Sequence, residues 1–177
     1  MKNNVKLAFC AMITALAVVV MMLTVFPYAT YALPGVAGVL MVVLVIEINK
    51  KWALGAFAAT GLLSAIIAPD KEAALMFIMF LGYYPIIKSV FERIKSKAVE
   101  FFLKFSVFNA AVITSTLIAT QVLNIPVETV SLFGKYTWAA LLVLGNITFL
   151  MYDYAINGVV VKYLNTVHPY IKKIINK

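Results

Sequence analysis

Few side chains in this sequence are equipped for bond chemistry, so the polar groups standing inside its apolar runs carry the information. Asp153 is the only carboxylate well inside such a run. With Asn146 and Asn157 it follows an i, i+7, i+11 spacing, which puts the three on one stripe of a helix. Asn109, Thr116 and Thr120 repeat that spacing in the preceding run. Amides, hydroxyls and a carboxylate so placed can hydrogen-bond a neighbouring helix or line a ligand cavity, with Asp153 serving structure or coupling. Three more charges crowd into Asp70-Lys71-Glu72, with apolar residues on both sides. They can cap helix ends. Alternatively, Lys71 can meet a carboxylate or phosphate, and Asp70 or Glu72 an amine or hydroxyl. No nucleotide-binding loop, metal-ligand spacing or Ser/His/Asp arrangement occurs in the sequence. The single histidine, His168, lies in the basic stretch "LNTVHPYIKKIINK" and reads as solvated. Enzyme chemistry is therefore disfavoured, and no cofactor or metal is expected.

These groups need a scaffold, and composition names its kind. The chain has 177 residues, 64% hydrophobic and only 12% charged, with a mean hydropathy of +0.99. That leaves too little polar surface to cover a soluble domain. The excess apolar surface must face lipid, where backbone groups have to be satisfied internally by helices or closed barrels. The apolar runs are continuous rather than alternating, so helices are expected. One cysteine, Cys10, excludes an intrachain disulfide. The start, "MKNNVK" before an apolar run of spanning length, reads as an uncleaved first helix.

Six runs separate, near 6–26, 31–48, 52–68, 72–91, 99–123 and 136–163, followed by a basic tail at 164–177 that reads as a short interfacial helix. The expectation is one all-α integral membrane domain over 1–177, a six-transmembrane-helix bundle. With the N-terminus inside, 13 of the 15 lysines and arginines fall on the cytoplasmic side, and only Lys71 and Lys135 fall outside. This positive-inside bias places both termini in the cytoplasm of a multi-pass cell-membrane protein. The net charge of +8 thus reports topology and not a nucleic-acid partner.

On this layout "PDKE" is the outer turn between helices three and four. Counted from the cytoplasmic ends, Asn109 and Asp153 fall at one depth, about 15 Å up, and Thr116 matches Asn146. A polar seam of Asn109, Thr116, Asp153 and Asn157 is expected between helices five and six. In helix four, Gly82 and Pro85 permit a kink, and Tyr83 and Tyr84 read as packing aromatics. Glu47, beside Asn49, Lys50 and Lys51, reads as locally paired at the inner interface. Tyr28 and Tyr31 fit an interfacial aromatic belt or a flap over a pocket. The connection from Gln121 through Glu128 and Lys135 to Trp138 is long for so economical a chain. In helix one, Ala8, Ala11 and Ala15 form a small-residue stripe that lets another helix approach.

Six helices in under 200 residues, cytoplasmic termini, an Ala11-x-x-x-Ala15 motif and polar outer loops together resemble the substrate-binding (S) component of energy-coupling factor (ECF) transporters. The resemblance implies capture of a vitamin or other small micronutrient from outside. It implies a pocket near the outer surface, built by helices four to six and the first, third and fifth loops. It implies docking through Ala11 and Ala15 on a transmembrane coupling subunit driven by two cytoplasmic ATPases, and toppling in the bilayer to release cargo. The candidate substrate contacts are Tyr28, Tyr31, Asp70, Lys71, Glu72, Gln121, Glu128, Lys135, Trp138 and Asn146. No substrate-specific motif for thiamine, riboflavin, folate, biotin or a metal is matched, and the N-terminal histidine expected of a cobalt or nickel binder is missing. An alternative of similar size and helix number is a membrane scaffold resembling the MreD-like protein of the cell-elongation machinery, whose grooves should be apolar. A channel is disfavoured, because "VLMVVLVI" and "WALGAFAAT" are too apolar to line a continuous polar path.

Overall fold

The computed structural model describes residues 3–26, 29–121 and 137–175. Tyr28, Glu128 and Lys135 lie outside them. The described residues are helical, without strands. The elements are α1 (Asn3–Met22), continued by a 3-10 turn (Leu23–Val25), α2 (Ala32–Glu47), α3 (Lys50–Ile67), α4 (Lys71–Met76), a π-helical turn (Phe77–Leu81), α5 (Tyr84–Phe91), α6 (Lys97–Gln121), α7 (Thr137–Thr166) and α8 (His168–Ile175). Four stretches are long and apolar enough to cross a membrane: Asn3–Val25, Lys71–Phe91, Lys97–Gln121 and Ala139–Thr166. The shorter α2 has 16 residues, and α3 opens on Lys50 and Lys51.

The helix ends follow local chemistry. Asn49 opens α3 by accepting the Trp52 N–H at 3.1 Å. Asp70 opens α4 by accepting the Glu72 and Ala73 N–H groups at 2.9 and 3.1 Å. Lys71 reaches back and donates to the Ala65 and Ile66 carbonyls, both at 3.0 Å, so a cation closes the C-terminal end of α3. The crowded tripeptide thus ends one helix and begins the next.

Small residues line the close helix contacts, and many large aliphatic groups face outward. Ala17, Ala37, Gly38, Ala53, Ala56, Ala73 and Ala74 are buried, while Leu62, Ile66, Phe102 and Met151 face outward. Outward-facing groups of this kind suit lipid tails, and small residues let helices approach closely. α2 is the central post, packed against α1, α3, α5, the π turn and α7. One apolar cluster joins α1–α3 to α4. A second, built on Phe80, Tyr84, Phe108 and Phe149, joins the π turn and α5 to α6 and α7.

The span Lys71–Phe91 is broken in its middle. In the π turn the Gly82 N–H donates to the Phe77 carbonyl at 2.8 Å. Pro85 has no N–H for the Leu81 carbonyl, its partner in a regular helix. The Tyr152 hydroxyl of α7 donates to that carbonyl instead, at 3.2 Å. Gly38 lets α2 close over the spot. Tyr152→Phe is expected to cost about 1–3 kcal/mol by leaving a buried carbonyl unpaired, read as a lower unfolding midpoint in detergent with helix content unchanged. A midpoint equal to wild type would mean that the carbonyl finds another donor.

Candidate functional site

The polar seam forms, but in a different register. Asn109 and Asn146 exchange two side-chain hydrogen bonds, each 3.0 Å, across α6 and α7. Asn109 therefore meets Asn146, and not Asp153. The reason is that α7 runs to Thr166, beyond the level at which α6 begins, so matching depths from the two ends misplaced the pairs by two turns. Thr116 and Thr120 do not cross the seam; their hydroxyls donate to the Val112 and Thr116 carbonyls of their own helix at 2.9 Å. Asn157 is exposed on α7.

Asp153 is instead the centre of an ion network. Its carboxylate accepts from the Tyr84 hydroxyl and from Lys88 Nζ of α5. Lys104 Nζ of α6 stands 3.2 Å from Oδ2. Lys88 also pairs with Glu92 at 3.1 Å, and Lys104 with Glu100 at 3.0 Å. Lys97 closes the chain on Glu100 at 2.7 Å. Three lysines thus meet three carboxylates, and α5, α6 and α7 are tied at one point. The Lys88 and Lys104 side chains are only 3% and 8% exposed. Positive-inside counting placed both on the cytoplasmic side without foreseeing that they are buried between helices. The available signal was Asp153 itself, because a lone carboxylate inside a span requires a cationic partner. A cavity of about 400 Å³ opens beside the network, walled by Lys97, Phe101, Phe105, Leu150 and Asn157.

Glu47 also departs from its sequence reading. It ignores the neighbouring lysines and accepts from the Tyr163 hydroxyl at 2.7 Å, with His168 Nδ1 at 2.9 Å. His168 is therefore partnered, and it pins the start of α8 to the end of α2.

Two further concavities bear on function. A groove of about 620 Å³ runs between α1 and α3, lined by Ala11, Ala15, Thr14, Gly55, Ala59 and Leu63 among others. Ala11 and Ala15 are exposed in it, and a Cβ added at Gly55 would meet nothing within 4 Å. The second, about 340 Å³, lies toward the Gln121 end of α6 and is lined by Val112, Ile113, Thr116, Leu117, Thr120, Leu141 and Leu142.

The remaining candidates divide. Tyr31 donates to Glu72 at 3.2 Å, so these two come together. Asp70 and Lys71 serve the helix ends. Gln121 is exposed at the end of α6, and Trp138 falls in the first turn of α7. Among the described residues, no three His, Cys, Asp or Glu side chains gather to hold a metal. No family model matches the chain, and neither does any curated protein or solved structure.

Proposed function

We propose that this chain is the membrane-embedded substrate-capture subunit of an importer of the energy-coupling factor type. In this reading α1, α2, α3, the broken span α4–α5, α6 and α7 are six crossings with both ends in the cytoplasm. At 1.5 Å per residue, α2 and α3 reach roughly 24 and 27 Å, a mismatch that local thinning of the bilayer absorbs. The Gln121 end of α6 then faces outward. The cavity there is the place for a small micronutrient, which passes without chemical conversion.

The α1/α3 groove carries the reading. Ala11 and Ala15, the residues of the resemblance, stand unpacked there opposite Gly55 and Ala59. Two small-residue walls suit close approach of another transmembrane helix, that of a coupling subunit carrying two ATPases. Gly55→Leu projects a bulky side chain into the groove from a position where an added Cβ meets nothing within 4 Å. Its expected outcome is unchanged thermal stability with a loss of co-purified coupling subunit of about tenfold or more, the range set by losing one well-packed helix contact. Wild-type chain that retains no such subunits in mild detergent would overturn the proposal. Mass spectrometry of the same sample identifies the captured solute.

One observation favours the scaffold alternative. The outer cavity is mainly apolar, and its threonine hydroxyls are spent on their own helix. In that case cell-elongation proteins co-purify in place of ATPases.

A further inference from the structure

We propose that the cavity between α6 and α7 beside Lys97 is a binding site for the headgroup of an aminophospholipid, a zwitterion carrying a primary ammonium and a phosphate. The inference rests on the chain lying in a membrane and is independent of the importer reading.

The ion network satisfies nearly all of its own charge and leaves a short complementary remainder. Asp153 uses both oxygens, on Lys88 and Tyr84 and on Lys104. Glu100 uses both, on Lys97 and Lys104. Glu92 is different. Both of its ion contacts, to Lys88 and Lys104, run through Oε1. Among the described residues Oε2 accepts nothing, and the side chain is 41% exposed. Among the described residues Lys97 is tied only to Glu100, and it is 82% exposed, so two of its three ammonium protons point elsewhere. Asn157 lines the same cavity, exposed and without a partner among the described residues. One free anionic acceptor, one cation with spare donors and one free amide therefore share a cavity of about 400 Å³.

That remainder selects its ligand. An anion alone would meet the cation but also the unsatisfied Glu92 carboxylate. A cation alone would meet Glu92 but be repelled by Lys97. A zwitterion satisfies both, its ammonium donating to Glu92 Oε2 and its anion accepting from Lys97 and the Asn157 amide. Arg93 and Lys95, exposed on the connection between α5 and α6, add positive charge at this end of the two helices.

The flanks of the cavity decide between a soluble zwitterion and a lipid. Its walls include Phe101 and Leu150, which are exposed hydrophobics, and Met151 and Tyr154 beside it face outward as well. An opening bordered by such groups is continuous with acyl chains. The headgroup enters while its tails lie along α6 and α7.

The test is native mass spectrometry of the full-length chain, stripped of lipid in detergent and titrated with single lipids. Phosphatidylethanolamine should bind about tenfold or more tightly than phosphatidylglycerol, which lacks the ammonium, and also more tightly than phosphatidylcholine, whose quaternary nitrogen has no N–H to donate. Glu92→Gln and Lys97→Ala should each remove that preference. Both side chains are partly or largely exposed, and the pairs of Asp153 with Lys88 and Lys104 survive, so both variants should stay folded, with a smaller loss of stability than Asp153→Ala. Equal binding of the three lipids, or a preference unchanged in Glu92→Gln, would overturn the site. Free phosphoethanolamine competing as well as the whole lipid would overturn the lipid assignment.

Discussion

Asp153→Ala is expected to destabilise the chain by about 3–5 kcal/mol, the cost of stranding buried charges by removing one partner. Two ammonium groups lose their shared carboxylate at once. Lys88 keeps Glu92, which is half in solvent, and Lys104 keeps Glu100. Tyr84 loses its acceptor as well. Asp153→Asn should fall between, since the amide oxygen still accepts but without charge. A combined Lys88→Met, Lys104→Met and Asp153→Leu variant should recover most of the loss, because a buried ionic group replaced whole by apolar volume is often neutral. The measurement is the unfolding midpoint in detergent, followed by helicity. A loss for Asp153→Ala under about 1 kcal/mol, the range of a surface pair, would show that water reaches both lysines freely.

The second large effect is at Gly38. A Cβ there would lie 2.0 Å from the Leu81 carbonyl oxygen and 3.0 Å from the Tyr152 hydroxyl. The first is a backbone atom held by the π turn, so no rotamer change relieves the clash. Gly38→Ala must push α2 away from the broken span or expel the hydroxyl that caps it. Overpacking of this kind costs about 1–3 kcal/mol and sometimes more, and here the lost cap adds to it. The expected result is a sharply reduced yield of folded protein. Gly55→Ala, facing open space, is the matched control and should be silent. Equal melting of the two variants would mean that α2 does not close on the span as described.

The features that could be read in advance were local ones. Asp70 after Pro69, with Glu72 two residues on, spells a helix start, and that is its use here. Helix six was expected at 136–163 and is found at Thr137–Thr166, since a long apolar run leaves little choice in a membrane. What escaped was everything set by the relative height of helices. The stripes of Asn109 and Asn146 were visible, yet their partners depended on how far α7 overhangs α6. Lys88 and Lys104 were counted with the cytoplasmic side, and nothing in their neighbours marks them as buried partners of Asp153. The π turn has no composition of its own, and neither Glu47 nor His168 indicates by its neighbours that it will meet the other across more than a hundred residues.

Tyr152 and Asp153 are adjacent, and this bears on how the protein is made. The span Lys71–Phe91 leaves the ribosome carrying a bare Leu81 carbonyl and Lys88, whose counter-charge Glu92 follows one turn later. α7 is synthesised last of the long helices and delivers both remedies in consecutive residues. Until it arrives, the earlier segments form a provisional assembly with a polar wound in its middle. Commitment to the final arrangement therefore waits for α7, and a chain arrested before it would leave both groups without these partners.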